Sequence, residues 1–227
     1  MSLLTGFDQP IEQSQHSFRL ILKALSEPGY CVTLQGGPAW GALNAASTAA
    51  LLTLADQETP LQLCDALKSE QVLTNIRFHS GAPLAANAQE IGFALLDAQL
   101  QAADLQALPH GSEISPEFGA TVVVQLAGLE QGAALRLTGP GIERQRIISP
   151  QLPPALLDYL INRPQRFPLG LDFLLTCGER LLAIPRTTRV EVCRSTPCCR
   201  YQSASCTKSA SRASDPFRYP FERPGRS

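Results

Sequence analysis

Three short segments place arginine, histidine, carboxylate and hydroxyl groups just where an apolar element gives way to chain breakers. The first is LADQETP at 54–60, with Asp56 and Glu58 at a helix end. Such carboxylates can orient a ligand hydroxyl or a metal, and they can equally be a solvated helix terminus. The second is RFHSGAP at 77–83. Arg77 can fork onto a phosphate or phosphonate oxygen, and His79 can donate or shuttle a proton. The competing reading pairs Arg77 with a local carboxylate and uses His79 to cap the helix. The third is IPRTTRVE at 184–191, where an apolar strand ends in Arg186, Thr187, Thr188 and Arg189. Strand ends of this kind recognise anions. The alternative is an edge strand whose arginines form ion pairs or meet a partner subunit.

Several chemistries have no footing here. The sequence contains no P-loop, no G-x-G-x-x-G after a strand and no G-x-S-x-G elbow. Histidine occurs only at His16, His79 and His110, never at the i, i+4 spacing of a metal pair. Before residue 194 the lysines are Lys23 and Lys68, each on a predicted amphipathic helix. A Schiff-base lysine for pyridoxal phosphate is therefore not expected. With no nucleophile–base pair and no metal motif, a subunit that shapes an assembly is one reading. A subunit with an anion site from Arg77, His79 and Arg186 is a second, and a stand-alone small-molecule enzyme is a third.

Composition sets the class. Of the 227 residues, 44% are hydrophobic and 17% charged, as in a globular domain. Residues 1–193 hold 12 Lys+Arg against 18 Asp+Glu, while 194–227 hold 7 against 2. An acidic body argues against nucleic-acid binding, which needs clustered basic charge. No apolar run is long enough to cross a bilayer. The first ten residues lack a basic stretch followed by an apolar one, so no signal peptide and a cytoplasmic location are expected. Cys31, Cys64, Cys177 and Cys193 are widely spaced and read as reduced thiols. The Ser-, Arg-, Pro- and Cys-rich stretch 194–227 reads as a disordered or non-native tail. Its Cys198, Cys199 and Cys206 supply only three thiols, too few for a structural zinc site.

Periodicity predicts the elements that must position these groups. Phe18, Ile21, Leu22 and Leu25 give a helix over 11–26 one apolar face. A strand at 30–34, a helix at 43–55, a strand at 61–64 and a helix at 67–77 follow, with 79–83 as a loop. A strand at 92–96 and a short helix at 104–108 come next. ATVVVQLA at 120–127 is β-branched and nearly all apolar, which suits a sheet centre. The turn at 128–132 leads to 135–137 as its expected hairpin partner. A helix at 154–162 opens on Pro153-Pro154. Strands at 171–177 and 181–184 join through Gly178-Glu179, and 185–192 finishes the domain. Alternating helices and strands with some hairpins imply an α/β fold, a mixed sheet covered by helices. Apolar strands near both ends of the body leave faces that call for a partner.

Taken in order, the segments resemble one family. They run from QHSFR at 15–19 and ALSEPG at 24–29 through LLTLAD at 51–56 and RFHSGAP at 77–83. PEFGAT at 116–121 and LTGPGI at 137–142 follow, and FPLGLDFLLTCGERLLAIPRTTRVEVC closes the series at 167–193. This order is similar to that of the PhnH subunits of the bacterial carbon–phosphorus lyase system. The resemblance implies a single three-layer α/β/α sandwich over 1–193, similar to the large domain of pyridoxal-phosphate-dependent transferases but without that cofactor. It implies homodimers and association with PhnG, PhnI and PhnJ. It also implies support, with PhnG, PhnI and PhnL, for transfer of the ribose 5-triphosphate moiety of ATP to a phosphonate with release of adenine. ATP and Mg then belong to the assembly's reaction, and this subunit binds no cofactor. No catalytic residue is carried over. Asp56, Arg77, His79, Glu117, Arg186, Thr187 and Thr188 lie on the matching motifs as candidate ligand or interface residues.

Overall fold

The computed structural model describes residues 3–193. The tail expectation and its three cysteines therefore lie outside the described residues.

One mixed sheet carries the architecture. It is built from β1 (Cys31–Thr33), β2 (Leu61–Leu63), β3 (Phe93–Leu96), β4 (Thr121–Gln125), β7 (Asp172–Cys177) and β8 (Arg180–Ile184). The strand order is β1-β8-β7-β4-β3-β2. Strands β2, β3, β4 and β7 are parallel, and β8 and β1 extend the sheet antiparallel. The expected central strand is central, with β4 hydrogen-bonded on both sides. Its run of valines follows from the two-residue period of a strand buried on both faces. Val122 and Val124 pack with Phe173 and Leu175 on one side. Val123 packs with Leu95 and Leu174 on the other.

Helices α1 (Pro10–Ser26), α2 (Ala45–Leu54) and α3 (Glu70–Ser80) cover the Val123 face. Each start has a local cause. Pro10 occupies the first turn of α1, where its missing N–H costs nothing. The Asn44 side chain accepts from the Ser47 N–H, and Ser69 accepts from Val72. Helix α3 stops at Gly81, whose φ of 72° is left-handed. The opposite face is covered by α4 (Ala102–Gln106), by α5 (Pro154–Ile161) and by a second sheet. That sheet is antiparallel, in the order β6 (Arg146–Ile148), β5 (Leu135–Thr138), β9 (Arg189–Val192). The result is three layers around one sheet, with Leu135, Leu137 and Val190 of the small sheet sealing the second core.

Two expectations need correction. The strand at 135–137 is not a hairpin partner of β4. It pairs with β6 and β9 in the separate sheet. The alternation of Leu135, Arg136 and Leu137 reports which side faces a core, and both partners satisfy it. The helix expected at 67–77 begins at Glu70 and runs to Ser80, because Ser69 takes the capping position. His79 therefore sits on the last helical turn rather than in a loop.

Candidate functional site at the amino-terminal rim of the sheet

All seven sequence candidates fall along one rim of the main sheet, the amino-terminal ends of its parallel strands. Asp56 leads into β2, and Arg77 and His79 end α3 beside it. Glu117 lies in the 3₁₀ turn Pro116–Phe118 before β4, and Arg186 follows β8, which runs the opposite way. Backbone bonds stitch the rim together. Gly92 N–H donates to Pro60 O (2.9 Å), Thr121 N–H to Gly92 O (3.0 Å) and Asp172 N–H to Ala120 O (3.4 Å). Between β2 and β7 lie three strand spacings, about 14 Å. The candidates thus form two groups on one rim, not one pocket.

Arg186 anchors the first group. Its Nε and Nη2 donate to Asp172 Oδ2 at 3.0 and 2.7 Å, and its own backbone N–H reaches Oδ1 at 2.7 Å. Nη1 donates to Pro116 O (2.7 Å) and Pro168 O (3.3 Å), and Nη2 also reaches Gly119 O (3.4 Å). A guanidinium has five N–H donors, and all five are committed to this chain. Arg186 therefore clamps the loop before β4 to the loop before β7, as in the ion-pairing alternative. Gly119 is glycine because a Cβ would lie 2.7 Å from both Arg186 Nη1 and Gly170 O. Thr188 is buried and its Oγ1 has no partner among the described residues, whereas Thr187 and Glu117 are exposed.

Beneath the clamp lie residues that the motif reading did not single out. Arg163 donates to Leu171 O (3.4 Å) and Pro185 O (3.1 Å). Tyr159 stacks on His110 and meets Phe173 edge-on, with ring centroids at 6.3 and 5.5 Å. Burial holds the His110 imidazole below its ordinary pKa and, with a lesser push from Arg186, outweighs a hydrogen bond to Leu108. An unfolded chain then binds this proton more readily than the folded one. The contribution is complete above the unfolded value of about 6.5 and is lost as pH falls through the folded one. Replacing His110 with phenylalanine should shrink the drop in urea midpoint between about pH 7.5 and about pH 5.5; an unchanged drop would assign it to other groups. Asp172 was the legible signal, a carboxylate opening a strand that is apolar from Phe173 to Leu175.

The second group is held by the amino-terminal segment. His79 Nε2 lies 2.9 Å from Leu4 O and, facing a carbonyl, donates. Its ring stacks on Trp40 at 5.1 Å and 26°. Trp40 Nε1 donates to Thr5 O (2.9 Å), and Leu4 N–H donates to Asn75 Oδ1 (2.8 Å). His79 thus fastens residues 4–6 to α3. Its replacement by alanine should cost about 1–2 kcal/mol in a denaturation midpoint. Asp56 accepts from Thr59 Oγ1 (2.7 Å) and Glu58 N–H (2.9 Å), bonds that hold its carboxyl below the usual range. Leu61 N–H donates to Pro83 O (2.8 Å), so the segments at 56–60 and 77–83 are neighbours. Arg77 is exposed, and its guanidinium has no partner among the described residues.

Chemically, the candidates do not converge. No hydrogen bond joins one candidate side chain to another among the described residues. No group of three His, Cys, Asp or Glu that could hold a metal occurs among them either. At the opposite, carboxyl rim, where open α/β sheets usually bind ligands, polar side chains are engaged with the backbone and with one another. Gln125 Oε1 accepts from Asn44 N–H (2.6 Å), and Thr176 Oγ1 bonds Asn44 (3.2 Å) and Ser47 (2.8 Å). No described helix is long and apolar enough to cross a membrane.

Comparison with known proteins decides the family. Residues 5–191 match the model of PhnH, a bacterial phosphonate metabolism protein. The chain belongs to the PhnH family. It is 34% identical over 188 residues to the alpha-D-ribose 1-methylphosphonate 5-triphosphate synthase subunit PhnH of Rhizobium meliloti strain 1021, covering 82% of this chain and 94% of the relative. It is 32% identical over 183 residues to a protein of Stutzerimonas stutzeri named as a C–P lyase subunit, HtxG, covering 79% and 87%. Residues 116–119 and 167–172, which Arg186 joins, lie inside the PhnH match.

Proposed function

We propose that this chain is a cytoplasmic subunit of a carbon–phosphorus lyase assembly in organophosphonate metabolism. It associates with PhnG, PhnI and PhnJ. With PhnG, PhnI and PhnL, it supports transfer of the ribose 5-triphosphate moiety of ATP to a phosphonate with release of adenine. The observation that carries this reading is the family match over 5–191 together with the subunit name of the Rhizobium relative. The committed donors of Arg186 and the scattered candidates favour a contribution through assembly, with the reacting groups on partner chains. On this reading the three layers correspond to the large domain of pyridoxal-phosphate-dependent transferases, used without the cofactor.

The test is adenine release from ATP, Mg and methylphosphonate by the combined subunits, with and without this chain. Release that requires the chain, while the chain alone releases none, is the expected result. Equal release in its absence would contradict the proposal.

Self-association belongs to the same reading, and α1 offers the face. Ile11, Gln15, Phe18 and Leu22 are exposed and lie four, three and four residues apart, the spacing of a helix–helix seam. Glu12 and Arg19 flank the seam, so an antiparallel second copy brings opposite charges together. Replacing Phe18 and Leu22 with glutamate should convert a dimer to a monomer in sedimentation. An unchanged dimer would place the contact elsewhere.

A further inference from the structure

We propose that the amino-terminal rim, centred on the loops that Arg186 clamps, is the docking surface for a different protein chain of the assembly. That chain presents apolar side chains set among lysine or arginine. The proposal rests on the subunit reading above and adds where and how the subunit docks.

The rim is apolar where a free surface has no reason to be. Ile114 is 95% exposed, Phe118 70% and Phe167 69%. They project from two loops that are one body. Arg186 Nη1 holds Pro116 O and Pro168 O at once, and Gly170 N–H donates to His110 O (2.9 Å). Further along the rim, Phe78 and Leu84 are also exposed. Clustered exposed apolar groups mark interaction sites. Here a charged clamp fixes their loops before any partner arrives, which lowers the ordering cost of binding.

Charge decides the occupant. The rim segments 56–60, 77–92, 113–119, 166–170 and 185–189 carry Asp56, Glu58, Glu90, Glu113 and Glu117 against Arg77, Arg166 and Arg189, with Arg186 already paired to Asp172. That is five carboxylates against three guanidiniums outside the clamp. Glu113 and Glu117, which immediately precede Ile114 and Phe118 in the chain, form no ion pair among the described residues. In a two-fold contact the same patch meets itself, so a second copy would set one carboxylate excess against another. The α1 seam, with its balanced Glu12 and Arg19, lacks that conflict. A partner with cations around its apolar contacts satisfies both features of the rim. Among the described residues, none of the large exposed apolar side chains falls in the segments 125–133 and 150–153 at the opposite rim.

The experiment is capture of PhnG, PhnI and PhnJ by the tagged full-length chain. It compares wild type with Ile114→Asp/Phe118→Asp and with Glu113→Lys/Glu117→Lys. All four positions are exposed, and unchanged denaturation midpoints confirm the folds. Each double variant should weaken capture about tenfold or more, since aromatic anchors dominate interfaces and reversed charges oppose a basic partner. Wild-type capture by Ile114→Asp/Phe118→Asp overturns the rim proposal and leaves the subunit reading standing. Capture of nothing by the wild-type chain overturns both.

Discussion

Replacing Arg186 with alanine should destabilise the domain by about 3 kcal/mol, because it strands a largely buried carboxylate and frees three backbone carbonyls. The Arg186 side chain is 12% exposed and that of Asp172 24%, so water screens the pair only partly. Lysine at this position keeps the charge but has three donors on a point-like head. It cannot span Asp172, Pro116 and Gly119 together, so it should recover less than half of the loss. Urea denaturation of the three proteins checks this. Midpoints that agree would show that the clamp contributes nothing. The variant also bears on function, because it loosens the loops that display Ile114 and Phe118 while touching neither. Capture of partner subunits should weaken at temperatures where the fold persists.

A larger loss, about 3–5 kcal/mol, is expected for Trp40→Ala, the usual cost of removing a fully buried aromatic. Trp40 is wholly buried, stacks on His79 and donates to Thr5 O. Its removal leaves a cavity, an unpaired carbonyl and an unsupported His79 ring. Phenylalanine preserves much of the packing and should cost less than half as much. Trp40 is the single tryptophan, so circular dichroism rather than fluorescence must report the midpoint. A loss below about 1 kcal/mol would mean that the site collapses to fill itself.

How much was legible depended on whether the signal was local. Helix α1, the valine run of β4 and the β7–β8 hairpin follow from periodicity and turn residues within a dozen positions, and each appears where expected. The partner of β5 does not follow from such signals, because Leu135 and Leu137 specify a buried face and not which strand lies beside it. The start of α3 moved because Ser69, a capping residue, outweighed the apolar pattern upstream. At the rim, residue types suggested anion binding, yet Arg186 meets Asp172, 14 residues away. That carboxylate turns a potential ligand-binding arginine into a fastening. His79 was similarly taken up by Leu4, 75 positions distant. Arg77 alone among the arginine and histidine candidates keeps an unengaged polar head among the described residues, consistent with its place on an exposed helix end. What could be read without any pairing was the order of motifs, and that order was sufficient to identify the family.

Hydrogen–deuterium exchange on the full chain, alone and in complex with PhnG, PhnI and PhnJ, tests the central claim most directly. Docking at the amino-terminal rim should slow exchange in segments 77–92, 113–119 and 166–170, and leave 125–133 and 150–153 at the opposite rim unchanged. Protection confined to the opposite rim, with the Ile114–Phe118 loop exchanging as in the free chain, would contradict it.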